Sequence, residues 1–206
     1  MTCRLSVAFF SAVLVLFSFA CHAAEHLVSK VLDGDSILLE SGETVRYIGI
    51  DTPELGKTPG TSDFYAKEAA NYNKKLVLAK KVRLEFDAER RDQHGRLLAY
   101  VYVKDLFVNG ELVRLGYARA MVRPPNVKHK DLLLRYQNEA MAKEAGLWQE
   151  KKRDTESSYI GNKRSYVFHR PSCKFGQKIP EKSRIIFGNR TDPIKIGYSP
   201  CRHCKP

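Results

Sequence analysis

The chain of 206 residues contains few cysteines, a single tryptophan and no internal repeat. Only three of its five cysteines follow residue 24, and an odd number does not make a closed set of disulfide bonds. Beyond residue 20 no apolar run is long enough to span a bilayer. These absences leave one or two globular domains, for which the length is sufficient to bury a core.

The first 24 residues have a pattern typical of a secretory signal peptide. Arg4 precedes an apolar run over residues 5–20, and small residues follow Cys21 and His22. This pattern predicts export to the periplasm or the medium. Two alternatives stay open. The run is about the minimum length for an uncleaved membrane anchor, and Cys21 is a formal lipidation site, although residues 18–20 fit such a site poorly.

Positive charge is concentrated at the C-terminal end. Residues 25–150 contain 20 Lys and Arg against 19 Asp and Glu, whereas residues 151–206 contain 14 against 4. This asymmetry predicts a nearly neutral domain followed by a basic segment that binds a polyanion such as nucleic acid. The alternative is a solvated tail that only aids solubility.

The pattern of apolar residues predicts a mainly β fold with helices, of the α+β class. Strands are expected at 26–32, 36–39, 44–50, 82–86 and 97–103. Helices are expected at 62–79 with Ser62 as N-cap, at 110–115 with Asn109 as N-cap, and at 131–145. Five strands with helices at two junctions suggest a small closed barrel with a helical flank. The polar residues 150–158 predict a linker.

Acidic residues cluster at predicted strand ends between residues 33 and 54. Asp33 and Asp35 surround one glycine, and Asp51 and Glu54 enclose Thr52 and a proline. Pairing of the strands through a turn at residues 41–43 would bring the two clusters together. Such hard oxygen ligands suit Ca²⁺ or Mg²⁺. Taken alone, the first cluster is more simply a polar turn.

Two arginines add a second kind of group. Arg46 lies five residues before Asp51 on the same predicted strand, and Arg96 closes the charged loop 91–96. Chemistry at a phosphate diester needs fixed donors for the charge that develops, and guanidinium groups provide planar, permanently charged donors. In isolation, an ordinary surface ion pair is the simpler interpretation of each arginine.

In their order along the chain, these segments resemble the staphylococcal nuclease (thermonuclease) family. The resemblance covers about residues 26–149 and rests on 31–36 (VLDGDS), 46–54 (RYIGIDTPE), 92–101 (DQHGRLLAYV), 108–109 with 112–116 (LVRLG), and 146–148 (GLW). It implies a five-stranded OB-like barrel that forms a nuclease domain at 25–149. It also implies a phosphodiesterase that cleaves DNA and RNA with calcium.

The same resemblance implies a calcium site. Asp35 and Asp51 would bind Ca²⁺ directly, together with the carbonyl oxygen of Thr52. Asp33 would support these ligands without contacting the metal itself. The metal would polarise the phosphate and orient the attack.

The catalytic residues implied by the resemblance are Glu54, Arg46 and Arg96. Glu54 would be a general base or would hold the attacking water, two roles that stay open here. Arg46 and Arg96 would bind the scissile phosphate, with Arg96 best placed for the transition state or leaving group. The chain departs from the family where tyrosines are usual, at His94, Met121 and Arg123, and this puts base preference in doubt.

The basic segment 159–206 carries paired metal-ligand residues. The pair His169 and Cys173 is separated from the pair Cys201 and Cys204 by 27 intervening residues, a spacing that suits tetrahedral zinc with one imidazole and three thiolates. The ending 197–204 (GYSPCRHC) resembles the zinc-binding domain of the Ada methyl-transfer repair protein, with His169 in place of the methyl-accepting cysteine. The resemblance therefore does not imply methyl repair. It implies a zinc-stabilised module that serves binding instead of chemistry. A Cys201–Cys204 disulfide, or His203 as a ligand, are the alternatives.

Two other functions compete with a nuclease. One is a non-catalytic nucleic-acid-binding module. The presence of all the acidic and arginine residues named above argues against it. The other is a cell-surface protein that uses its basic tail on anionic polymers. No stable protein partner is implied.

Overall fold

A computed structural model of the chain describes residues 24–56, 58, 60–150 and 156–206. The signal sequence expected at 1–24 lies, except for its last residue, outside the described residues, as does most of the expected linker. The strands are β1 (Glu25–Asp33), β2 (Ser36–Leu39), β3 (Thr44–Tyr47), β4 (Ile50–Asp51), β5 (Lys81–Glu85), β6 (Leu97–Val103), β7 (Leu106–Phe107), β8 (Arg119–Ala120), β9 (Tyr159–Asn162), β10 (Val167–His169), β11 (Arg184–Phe187) and β12 (Ser199–Pro200). The α-helices are α1 (Ala66–Val77), α2 (Val108–Arg114), α3 (Lys130–Ala142), α4 (Lys174–Gln177) and α5 (Thr191–Lys195). Within these described ranges, no helix has the length and apolar character needed to cross a membrane.

Five strands close a barrel, as the sequence predicts. They are hydrogen-bonded in the order β3-β2-β1-β5-β6, and β3 also pairs with β6 in parallel, with Val45 opposite Leu97. The barrel core and the flanking helices α2 and α3 bury side chains that are at most 3% exposed, among them Ile37, Val45, Val101 and Leu112. Alternation of apolar residues along each strand accounts for this core, since successive side chains point to opposite faces of a sheet. The α+β fold class is confirmed.

The third predicted strand is wrong at its end. Strand β3 stops at Tyr47, and Gly49 has a positive φ of 78°. Positive φ is natural for glycine and breaks the extended path. Ile50 and Asp51 then form β4, which pairs with β8 instead of continuing β3.

Both predicted N-caps are also wrong. Helix α1 begins at Ala66, not near Ser62, whose hydroxyl accepts a hydrogen bond from the backbone of Gly56. Helix α2 begins at Val108, and Asn109 is a fully buried residue inside it. The Asn109 side chain accepts a hydrogen bond from Val101 N at 2.9 Å and donates one to Ile48 O at 2.8 Å. A buried polar side chain needs such partners, and here they join the helix to the barrel.

Glu85 joins the barrel to the start of α3. Its carboxylate contacts Lys128 Nζ at 2.8 Å and His129 Nε2 at 2.9 Å. Burial opposes its ionisation, but the hydrogen bonds from Lys128, His129 and Tyr102 outweigh this effect and lower the pKa of Glu85 to about 2.

The C-terminal segment has its own small sheet and apolar cluster. Its strand order is β11-β9-β10-β12. Tyr159, Phe168 and Ile194 are almost fully buried there, and Met141 and Trp148 of the preceding domain pack against them. The segment is also hydrogen-bonded to the preceding domain through helix α3. The buried side chain of Gln137 donates to Ile194 O at 2.6 Å and accepts from Ala120 N at 2.9 Å.

Candidate active site

The turn between β1 and β2 brings Asp35 against Thr52. A Cβ atom added to Gly34 would lie 2.7–2.8 Å from three side-chain atoms of Thr52. Only glycine permits this approach of the two acidic segments. The Asp33 carboxylate accepts a hydrogen bond from Asp35 N at 2.9 Å and so holds the turn. Asp33 thus contacts the backbone of Asp35, and its supporting role toward a metal stays a prediction.

Asp35 is the most buried carboxylate of the site. It is 5% exposed, and its Oδ2 accepts hydrogen bonds from Thr52 N at 2.9 Å and Thr52 Oγ1 at 3.0 Å. The same oxygen contacts Arg46 Nη1 at 2.5 Å. Burial raises the pKa of Asp35 although Arg46 opposes the shift. One guanidinium therefore does not fully offset the cost of burying this charge.

The break after β3 brings Asp51 to Arg46. Five residues of extended strand would separate the two by roughly 17 Å. Because the chain turns at Gly49, Arg46 Nη2 lies 3.2 Å from Asp51 Oδ1. The carboxylates of Asp35 and Asp51 consequently surround one guanidinium.

These carboxylates fit a hard divalent cation. Asp35, Asp51 and Thr52 offer oxygen atoms of the type that Ca²⁺ prefers, within reach of Glu54. The buried charge of Asp35, which Arg46 offsets only in part, would be compensated by such an ion.

Arg96 enters the same cleft from the loop before β6. Asp92 accepts hydrogen bonds from Arg96 Nε at 2.8 Å and from its backbone N at 3.0 Å. Burial disfavours the Asp92 carboxylate, but the bonds from Arg96 and from the backbone of His94 outweigh this and lower its pKa. The Arg96 side chain is 36% exposed and Asp92 occupies its Nε, so the guanidinium can still bind a ligand.

The residues expected at the site converge on one cleft. Its lining includes Asp33, Asp35, Arg46, Asp51, Glu54 and Arg96, together with the three departures from the family, His94, Met121 and Arg123. Thr52 is buried and does not line this cleft, but it is hydrogen-bonded to Asp35, which does. Whether each residue has the role expected for it stays a prediction.

Sequence reasoning missed two contributors. Asn73 is fully buried on α1, where it accepts a hydrogen bond from Tyr47 OH and donates one to Asp33 O at 3.0 Å. A polar residue on the apolar face of the expected helix was the available signal. Arg202 of the C-terminal segment lies 3.0 Å from Asp51 Oδ1 and 2.6 Å from Glu54 Oε1. Nothing local in the sequence indicates that contact.

The four expected zinc ligands form a second cluster. One ligand atom from each of His169, Cys173, Cys201 and Cys204 lies within 4.8 Å of the others. Tetrahedral zinc with thiolates requires separations of about 3.8 Å, so a small contraction would close the site. The three cysteines are free thiols, whereas His203 lies outside the cluster with its ring against Phe175. The residues fit a thiophilic metal, and the identity of the ion stays a prediction.

Fold and site together define a class: a small β-barrel protein with a cleft lined by acidic residues and arginines. Comparison with known proteins makes this specific. The family model of staphylococcal nuclease homologues matches residues 44–150. The chain is 42% identical over 127 residues to a thermonuclease of Staphylococcus intermedius, covering 60% of this chain and 76% of that protein.

Two further relatives agree. A thermonuclease of Staphylococcus hyicus is 36% identical over 124 residues, 59% of this chain and 73% of that protein. Endonuclease YncB of Bacillus subtilis is 38% identical over 141 residues, 66% of this chain and 64% of that protein. The chain belongs to the staphylococcal nuclease family.

Proposed function

We propose that this chain is an exported, calcium-dependent endonuclease that hydrolyses phosphodiester bonds of DNA and also of RNA. That it is a nuclease, and so a phosphodiesterase acting on nucleic acid, follows from family membership and from relatives named thermonuclease and endonuclease. The observation that carries the finer proposal is the cleft in which Asp35, Asp51 and Glu54 meet Arg46 and Arg96.

Asp35, Asp51 and the carbonyl oxygen of Thr52 would hold the calcium. When bound, that ion would act as a Lewis acid on the phosphate and would orient the reacting groups. Arg46, already within reach of both aspartates, would bind the scissile phosphate beside them. The hydrogen bonds from Thr52 keep Asp35 in place during this exchange.

Hydrolysis joins a water oxygen to phosphorus and breaks one phosphorus–oxygen ester bond. Glu54, whose carboxylate is 54% exposed in the cleft, would hold the water or accept its proton. Arg96, anchored by Asp92, would stabilise the charge that develops on the phosphate and the departing oxygen. A proton must reach that oxygen from solvent or from Glu54.

The test is a cleavage assay with the metals controlled separately. Protein freed of added metal is titrated with Ca²⁺, Mg²⁺ or Zn²⁺ on DNA and on RNA, and its bound metal is measured by mass spectrometry. We expect Ca²⁺ to activate the protein, and Asp51→Ala to lose this activation while its bound metal at the C-terminal cluster is unchanged. Full activity without calcium, or in Asp51→Ala, would contradict the proposal.

We also propose that His169, Cys173, Cys201 and Cys204 bind one structural zinc. Their proximity and burial support this. Metal binding and folding are coupled in small modules of this kind. Cys204→Ser should therefore lose the bound zinc and the native signals of residues 159–206, read by mass spectrometry and NMR. Retention of one zinc per chain would contradict it.

Export and the tail's DNA binding rest on sequence patterns. The segment 1–24 supports export, which detection of the processed protein outside the cytoplasm would test. The excess positive charge of residues 151–206 supports nucleic-acid binding by the tail.

A further inference from the structure

The C-terminal segment forms part of the wall of the active-site cleft. Ser199, Pro200, Cys201 and Arg202 line it together with the acidic and arginine residues of the barrel. The sequence suggested a basic segment that serves as a tether for long DNA. The structure instead brings one of its arginines to the proposed metal ligand Asp51 and to Glu54.

Arg202 makes two ion pairs at the centre of the site. Its Nη2 atom lies 3.0 Å from Asp51 Oδ1 and 2.6 Å from Glu54 Oε1. Its side chain is 69% exposed, and ion pairs with this exposure contribute little to stability. Arg202 can therefore exchange these carboxylates for another anion at little cost.

A nucleic-acid phosphate is the anion that fits. In the calcium-bound site proposed above, Asp51 is a metal ligand and is no longer free to pair with Arg202. Arg46 and Arg96 are assigned above to the scissile phosphate, so a neighbouring backbone phosphate needs a further cationic group, and Arg202 lines the same cleft. A phosphodiester has two unesterified oxygens that match the donors of a guanidinium group.

The backbone beside Arg202 is fixed from both sides. Cys201 N donates to Phe168 O at 2.9 Å, and Lys205 N donates to Cys201 O at 2.9 Å. Cys201 and Cys204, which enclose Arg202, belong to the four-residue metal cluster. Hydrogen bonds from Val122 N to Gly197 O and from Gln137 to Ile194 O hold the segment against the barrel. A binding group on a fixed support loses less freedom when a ligand arrives.

We propose that Arg202 is a substrate-binding residue of this active site and holds a backbone phosphate next to the scissile one. The turn at residues 201–204 positions the Arg202 side chain in the cleft for this contact. This inference rests on the proposed nuclease function, in which the cleft binds a polynucleotide.

The experiment compares Arg202→Ala and Arg202→Lys with Arg164→Ala. Arg164 lies exposed between β9 and β10 and does not line the cleft, so its replacement removes the same charge from the same segment. Equilibrium binding of a fluorescent, cleavage-resistant phosphorothioate tetrathymidylate is measured by anisotropy in saturating calcium, the state in which Asp51 would bind the metal. Cleavage of the matching phosphodiester oligonucleotide in saturating calcium gives kcat and KM, and bound zinc is measured in every variant.

We expect Arg202→Ala to weaken binding and raise KM about tenfold, as for loss of one charge-assisted hydrogen-bonding group. Its kcat should stay within about threefold of wild type, since uniform binding is lost and not transition-state binding. The affinity of Arg202→Lys should lie between those of wild type and Arg202→Ala, and Arg164→Ala should change the affinity less than about twofold.

Equal binding by Arg202→Ala and Arg164→Ala, with zinc retained in both, would overturn the proposal. Tighter binding by Arg202→Ala would also overturn it, because Arg202 would then obstruct the cleft. Failure of wild-type protein to cleave with calcium would refute the proposed function instead, while the anisotropy comparison would still decide the role of Arg202.

Discussion

Replacement of Gly34 by alanine should separate the two halves of the proposed calcium site. The new Cβ would lie 2.7 Å from Thr52 Cγ2 and 2.8 Å from Thr52 Cβ and Oγ1. Carbon atoms in contact normally lie about 3.5–4.0 Å apart, so the turn and Thr52 must move apart by roughly 1 Å. Thr52 cannot rotate away freely, because its N and Oγ1 both donate to Asp35 Oδ2.

The Gly34→Ala substitution should lower both the stability of the protein and its affinity for calcium. Overpacking of this kind costs about 1–3 kcal/mol of the free energy of unfolding. For a protein of this size that lowers Tm by about 2–12 °C. Calcium–oxygen distances vary over only about 0.3 Å, so a displacement near 1 Å between Asp35 and Thr52 should weaken calcium binding at least about tenfold.

The assay pairs thermal denaturation without calcium with calcium titration calorimetry. Gly188→Ala is the matched control, because a Cβ atom there meets nothing within 4 Å and the residue is exposed. It should leave calcium affinity unchanged and raise Tm slightly, if at all. A Gly34→Ala protein with the Tm and calcium affinity of wild type would refute the close-approach argument.

Three other predictions concern the proposed catalytic arginines, the helix–barrel junction and the stability in acid. Arg46→Ala and Arg96→Ala should each lower kcat on DNA about 10²- to 10³-fold, with poor rescue by lysine; near-wild-type kcat would remove that arginine from the mechanism. Asn109→Ala leaves two buried backbone groups without their partner and should lower the free energy of unfolding by about 2–6 kcal/mol in urea denaturation; a loss below about 1 kcal/mol would contradict this. Because the pKa of Glu85 is lowered in the folded protein, its carboxylate contributes to the free energy of unfolding. That contribution is complete above the ordinary pKa of 4.5 and disappears as the pH falls through about 2. The stability difference between wild type and Glu85→Gln should accordingly shrink between pH 5 and pH 2, and a difference that is constant with pH would be inconsistent with that role.

Local patterns were sufficient for most of the barrel. The alternation around Ile37, Val45 and Val101 predicted strands whose buried faces form the core, and those side chains are buried. The order of acidic and arginine motifs along the chain is sufficient to indicate the family. These features are local because side-chain alternation and short motifs are properties of neighbouring residues.

The breaks between elements were harder to predict, because tertiary partners decide them. Residues 44–50 carry a strand pattern, yet Gly49 turns the chain so that Asp51 can pair across β4 and β8. Asn109 has the composition of an N-cap, but barrel backbone groups at Val101 and Ile48 use its amide instead. The preference of asparagine for an N-cap position contributes less free energy than the hydrogen bonds that these buried backbone groups require.

The sequence by itself determined the fold class and the family, and it predicted which residues would bind metal and phosphate. It also indicated the cluster of His169, Cys173, Cys201 and Cys204, because their paired spacing is visible along the chain. Only the tertiary structure decided that Arg202 meets Asp51 and Glu54, residues about 150 positions earlier. That contact depends on how the C-terminal sheet docks through Gln137, Gly197 and their partners, and docking of two surfaces leaves no periodic signal in either one.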